Sequence, residues 1–342
     1  MNIRAENITK KYGDFTALNG VSFESGDGEF FSVLGKSGSG KTTLIRIIAG
    51  LERPDAGKIY FDGVDIDSLP AHKRGAVMVF QNYALFPHLN VFDNVAFGLE
   101  ERRVPKTEIR KTVVRTLVSL GIDGKMYRGI SELSGGEQQR VAIARALAIE
   151  SKVILFDEPL SNLDVALRKE LQRELKSIQR QTGRNFIYIT HDQEEALMLS
   201  DKLIVMDRGS VYESGTPQEV YEQPKSLFGA SFIGNANVLQ LEKLDRDKFK
   251  TSTGLVLKNN GEIMGKYFDA VVRPEHIVPS QQGMAGNVFK ASIAAKFFRG
   301  AFFEYSLTVE GVSLVMLTQH DLRSSDAFIA IEKFFIFPKD AV

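Results

Sequence analysis

The sequence predicts a two-part chain, an α/β fold built around a phosphate loop and then a small all-β, OB-like barrel. Three observations carry this. Gly35 to Thr43 reads GKSGSGKTT, which fits G-x-x-x-x-G-K-[ST] with Gly35, Gly40, Lys41 and Thr42 in the fixed places. Two continuous apolar runs, VILF before Asp157-Glu158 and FIYI before Thr190-His191, read as strands buried on both faces that deliver polar residues to one sheet edge. After Phe232-Ile233-Gly234 the texture changes to short strand-like runs separated by Gly, Asn and Ser, with little helix.

The first 34 residues alternate in short stretches, with turn chemistry at Tyr12-Gly13-Asp14 and Gly26-Asp27-Gly28, as in an antiparallel β layer. Glu29 to Leu34 then runs as a strand into the loop, and Thr43 to Gly50 reads as the helix whose N-terminus meets phosphate. Within the loop, Gly35, Lys36, Ser37, Gly38, Ser39, Gly40, Lys41, Thr42 and Thr43 are the expected phosphate-binding residues. The glycines let backbone N–H groups turn inward, Lys41 reaches the β- and γ-oxygens, and the Thr42 hydroxyl can ligate Mg²⁺.

Lys58 to Ile66 alternates as a strand, and Ala76 to Phe80 is a buried strand ending at Gln81. Val91 to Ile149 is helical, with Ile109, Val113, Leu117 and Leu120 at helical spacing, so a helical insertion sits inside the α/β domain. Ser134 to Glu137 forms the S-x-x-E capping box. A further helix over 163–181 places Leu167, Leu171, Leu175 and Ile178 on one face and ends at Gly183. Lys202 to Met206 and Ser210 to Glu213 close the domain as a hairpin, and Thr216-Pro217 caps a last short helix.

Composition sets bounds on function. The chain has 342 residues, 43% of them hydrophobic, which suits two domains better than one. Lys+Arg and Asp+Glu both number 43, so no bulk charge points to nucleic acid. Cysteine is absent, which removes disulfides and cysteine metal sites and agrees with a reducing, cytosolic location. The N-terminal stretch has neither a signal core nor a transit pattern, and no uncharged apolar run reaches the roughly 18 residues of a membrane span. A membrane role is therefore expected to come through a partner.

At the end of VILFDE, neighbouring strand residues point to opposite sides, so the two carboxylates should have separate tasks. Asp157 is placed to hold Mg²⁺ and Glu158 to polarise an attacking water. Tyr12, beside a turn, serves either packing or a purine ring.

Leu133 to Arg140 reads LSGGEQQR. Together with GKSGSGKTT, Gln81, LFDEP, the SNLD of 161–164 and His191, in that order, it resembles the ATP-binding subunits of ABC transporters over residues 1 to 234. The resemblance implies an ABC cassette: a P-loop NTPase with a mixed sheet, an antiparallel β layer and a helical subdomain. It also implies that Tyr12 stacks on adenine, that Gln81 touches Mg²⁺ and senses the membrane partner, and that His191 contacts the γ-phosphate. Ser134, Gly135 and Gly136 would hold the γ-phosphate bound to a second subunit, with Asp164 at the same interface, so the active unit would be a head-to-tail homodimer. Lys36 departs from the relatives, which usually have Pro there; it either strengthens phosphate binding or points to solvent.

The tail, residues 235 to 342, is similar to the regulatory (TOBE-type) barrel of importer ATPases through FIGNANVL at 232–239 and VRPEH at 272–276. Together the two resemblances imply ATP and Mg²⁺ as cofactors, a separate integral-membrane permease, an extracytoplasmic binding protein reached through it, and a peripheral place on the cytoplasmic face of the inner membrane. The cargo expectation is polyamine, iron(III) or phosphonate, with sugar or another anion as the alternative. A soluble ABC ATPase acting on DNA or ribosomes is disfavoured by the modest insert, the single cassette and the lack of a basic stripe. A module that binds ATP without turnover is disfavoured by Glu158 and His191.

Overall fold

The computed structural model describes residues 1–339 except Asn162, Asn260 and Glu262. Asn162, in the expected SNLD segment, thus lies outside the described residues. The chain divides into two compact units, Met1–Gln218 and Glu219–Val342.

The first unit opens with β1 (Ile3–Tyr12) and β2 (Phe15–Ser25), a long antiparallel hairpin joined by β4 (Ala56–Phe61) and the short β5 (Val64–Asp65) into a four-stranded sheet. The single strand expected over Lys58 to Ile66 is in fact the β4–β5 hairpin, because Asp62 and Gly63 both take positive φ and turn the chain back.

The second sheet has six strands in the order β10-β9-β3-β8-β7-β6. Its members are β3 (Phe30–Gly35), β6 (Ala76–Val79), β7 (Val153–Asp157), β8 (Asn185–Thr190), β9 (Lys202–Asp207) and β10 (Ser210–Gly215). All pairs are parallel except the closing β9–β10 hairpin, so the sheet is mixed, as expected. Strands β3, β7 and β8 are buried at every residue, which is why they read as unbroken apolar runs. Two cores flank this sheet. One joins its Phe30, Phe156, Phe186 and Tyr188 to α2 (Val91–Glu101), α3 (Lys106–Ser119), α4 (Gly135–Ala148) and α5 (Val165–Thr182). The other packs the opposite face against the β1–β2 layer and α1 (Lys41–Ala49).

In the second unit, helix α6 (Leu227–Phe232) leads into two five-stranded antiparallel sheets around one apolar core, the all-β class expected. Residues 219–234 cluster with this unit, whereas the sequence reading puts the change of texture at 234/235. They are tied to it by Arg273, fully buried, whose guanidinium stacks 3.6 Å from the Tyr221 ring. The apolar run AFIAIEKFFIF of 327–337 contributes two strands (Asp326–Ile331 and Phe335–Pro338), one in each sheet.

Candidate nucleotide site

Register in the six-stranded sheet assembles the site. In the parallel pairing Leu34 lies beside Thr190 and Asp157 beside Ile189, so the loop after β3, the acidic end of β7 and the histidine after β8 share one edge. This is where α/β sheets gather ligands.

The loop's glycines have separate reasons. Gly35 is paired with Met206 in the sheet, and a Cβ there would lie 2.3 Å from the Met206 carbonyl oxygen. Gly40 takes φ +99°, and a Cβ on it would meet the Ala17 oxygen at 2.4 Å. No side chain caps the start of α1, so its first-turn N–H groups face outward for an anion. The Ser39 hydroxyl, buried in the same loop, has no hydrogen-bond partner among the described residues. An orphaned donor beside a positive helix end fits a phosphate.

Lys41 is almost wholly buried. Its Nζ donates to the Gly35 and Lys36 carbonyls at 2.9 Å each and lies 3.7 Å from Glu158 Oε1. Burial lowers its pKa, and Glu158, followed by Asp157, opposes that shift. The Thr42 hydroxyl donates to Asp157 Oδ1 at 3.2 Å. Burial raises the Asp157 pKa, with Glu158 adding to the shift and Thr42 opposing it. A divalent cation would relieve that penalty, and a hydroxyl beside a carboxylate is a hard oxygen pair suited to Mg²⁺. Among the described residues no group of three or more His, Cys, Asp or Glu could hold a metal ion.

Glu158 leaves the strand with φ +44°, a left-handed conformation that costs about 1 kcal/mol or more for a residue with a side chain. Its N–H is held by the Ile189 carbonyl at 3.1 Å. The turn leaves one carboxylate oxygen near Lys41 and gives the other to His191, whose Nδ1–H donates to Oε2 at 2.9 Å. With Nδ1 so engaged, Nε2 is the ring's remaining polar atom. The exposed His191 is steadied by its neighbours. Thr190 donates its hydroxyl to buried Glu195 at 2.7 Å and accepts from the Asp192 N–H at 2.9 Å, while Tyr188 reaches Glu195 at 3.0 Å. Glu195 escaped the sequence reading because nothing in HDQEEAL shows that one of its acids folds back beneath the strand.

The structure thus brings together Lys41, Thr42, Asp157, Glu158 and His191. Gln81 is exposed just past β6, next to β7 at the same sheet edge. Ser134 caps α4 in a complete capping box with Glu137, and a Cβ on the buried Gly136 would lie 2.1 Å from a Leu167 methyl, so a side chain there would have to displace Leu167. Ser134 and Gly136 open on a separate cleft shared with Lys125, Leu167 and Glu170, away from this chain's own phosphate loop. Asp164 caps α5, accepting from the Ala166 and Leu167 N–H groups at 3.1 and 3.0 Å. The Tyr12 hydroxyl bonds Glu52, and the residue remains 46% exposed. Phe15, opposite Tyr12 in the hairpin register and more exposed still, is a second aromatic there that the sequence reading passed over.

The chain is similar to known proteins along most of its length. The family described as ABC transporter matches residues 18–161. The spermidine/putrescine import ATP-binding protein PotA of Rubrobacter xylanophilus is 44% identical over 329 residues, 93% of this chain and 87% of that protein. PotA of Pasteurella multocida is 39% identical over 333 residues, covering 95% and 90%. Among solved structures, cbiO1 from Clostridium perfringens, part of the ABC transporter complex cbiONQ, superposes with TM-score 0.61 at 33% identity, covering 65% of this chain and 90% of that one. The ATP-binding cassette MJ0796, in a dimeric post-hydrolysis state bound to ADP and Pi, gives 0.58 at 31% identity, covering 63% and 98%. With the phosphate loop, the paired acids and the histidine on one sheet edge, and with relatives alike along nearly its whole length, the chain belongs to the ABC transporter family as an ATP-hydrolysing import subunit.

Proposed function

We propose that this chain is the ATPase of a polyamine importer, working as a head-to-tail homodimer on the cytoplasmic face of the inner membrane beneath a separate permease that receives cargo from an extracytoplasmic binding protein. The convergence of Lys41, Asp157, Glu158 and His191 carries the catalytic part of this reading. Lys41 exchanges its two carbonyl partners for β- and γ-phosphate oxygens, and the loop residues 35–43 supply N–H groups around them. Thr42, Asp157 and Gln81 would hold Mg²⁺, which would supply positive charge against the phosphates. Glu158 takes the proton of the attacking water, and His191 keeps that carboxylate oriented through Nδ1 while offering Nε2 to the γ-phosphate. Ser134, Gly135 and Gly136, facing away from their own loop, are free to meet the γ-phosphate on the partner, with Asp164 beside them. Tyr12 stacks on adenine.

The polyamine assignment rests on similarity to the two PotA proteins that runs through the second unit as well as the first. We divide the functional parts as a cassette over 1–234 and a regulatory barrel over 235–342. The test is reconstitution with the cognate permease and binding protein in vesicles. ATP-driven uptake of labelled spermidine or putrescine is expected; uptake of iron(III) or a phosphonate instead would overturn the cargo while leaving the ATPase assignment intact.

A further inference from the structure

Near Tyr12 an ionic cluster occupies the end of β1 and the segment after α1. Lys10 Nζ donates to the Arg53 carbonyl at 2.8 Å and to Asp55 at 3.2 Å, lies 3.7 Å from Glu52, and sits over the Tyr12 ring 5.6 Å from its centre. Asp55 also accepts from the Lys11 N–H at 2.6 Å, and its own N–H donates to the Thr9 carbonyl at 2.8 Å. Glu52 accepts the Tyr12 hydroxyl. The Lys10 and Glu52 side chains are only 15% and 18% exposed, although they belong to residue types that prefer solvent.

We infer that Glu52 and Lys10 are positioning residues for nucleotide binding: they fix the Tyr12 ring in place before the purine arrives, so that stacking needs no further ordering of that side chain. The inference rests on Tyr12 being the base-stacking residue. Lys10 stands over the ring, Glu52 holds its hydroxyl, and 46% of the residue stays open for the base. Glu52 follows directly on α1, because the Gly50, Leu51 and Glu52 N–H groups all return to carbonyls of its last turn. The helix that presents its N-terminus to phosphate therefore also carries, just beyond its other end, the acid that sets the aromatic platform. Base and phosphate recognition are thus linked through α1, although Tyr12 itself lies on β1. Ordering a side chain on binding costs about 2- to 12-fold in affinity, which is the gain such preorganisation offers.

The experiment measures binding of ATP and of inorganic triphosphate to the full chain by calorimetry. Glu52→Ala should weaken ATP by about 2- to 12-fold and leave triphosphate unchanged, since only ATP has a ring to stack. Glu52→Gln, which keeps an acceptor for the hydroxyl, should recover most of the loss. In a Tyr12→Phe background, where no hydroxyl remains to be held, Glu52→Ala should cost nothing further. If Tyr12→Ala weakens ATP selectively while Glu52→Ala does not, or if Glu52→Ala weakens ATP and triphosphate equally, the positioning role is wrong and the stacking reading stands. If Tyr12→Ala itself leaves ATP affinity unchanged, the stacking reading fails and takes the inference with it.

Discussion

Glu158→Gln separates the two tasks that the geometry gives to one carboxylate. Oε1 lies 3.7 Å from Lys41 Nζ, and Oε2 accepts from His191 at 2.9 Å. The amide keeps the size and one acceptor, so the His191 ring stays oriented, but it cannot take a proton from water. Loss of a general base lowers turnover by about 10² or more. Binding should move the other way. At an effective dielectric of about 20, a charge pair at this distance interacts by roughly 4 kcal/mol before hydration losses, and the net is a fraction of that. Releasing Lys41 from the carboxylate, and removing a negative charge that faces the γ-phosphate, should tighten ATP by about 1 kcal/mol, or roughly fivefold. The assays are phosphate release at saturating ATP, ATP titration, and gel filtration with and without ATP. The variant should form a persistent ATP-dependent dimer. Adding Ser134→Arg should abolish it by filling the partner's phosphate position. Phosphate release within tenfold of the parent, or a monomer at saturating ATP, would refute the shared-site mechanism.

Four further outcomes are expected. Lys41→Ala should abolish tight ATP binding, because the γ-phosphate loses the buried cation at the loop; unchanged affinity in a titration would remove the phosphate-loop assignment. Gly35→Ala should destabilise the first unit by about 3 kcal/mol in a denaturant titration, since its Cβ, 2.3 Å from the Met206 oxygen and 2.6 Å from Ser39 Oγ, has only sheet backbone and a buried hydroxyl to displace. Arg273→Met should leave stability within about 1 kcal/mol or raise it, because the guanidinium is buried with no hydrogen-bond partner for any of its nitrogens among the described residues and an apolar side chain of similar size keeps the contact with Tyr221. A loss of about 3 kcal/mol on thermal unfolding would show that the charge itself is required. A chain ending at Asn237 should still hydrolyse ATP measurably, with altered regulation, since every proposed catalytic residue lies upstream; an inactive core would show that the barrel is needed to build the site.

The residue string alone determined the chemistry, because chemistry of this kind is written in short local patterns. GKSGSGKTT carries glycines at fixed offsets, and the structure adds a reason of its own at Gly35 and Gly40, where backbone oxygens of Met206 and Ala17 occupy the space of a Cβ. The buried strands were legible for the same local reason, as was the capping box at Ser134. Tertiary structure alone decided which of these patterns meet. Lys41, Glu158 and His191 are separated by more than a hundred residues from first to last, and only the order β3-β8-β7 with its parallel register brings them within hydrogen-bond or ion-pair distance. The left-handed turn at Glu158, the Glu195 brace under His191 and the Glu52 hold on Tyr12 left no local mark. The last two are contacts between side chains whose spacing follows from sheet pairing and helix packing rather than from the period of a strand or a helix.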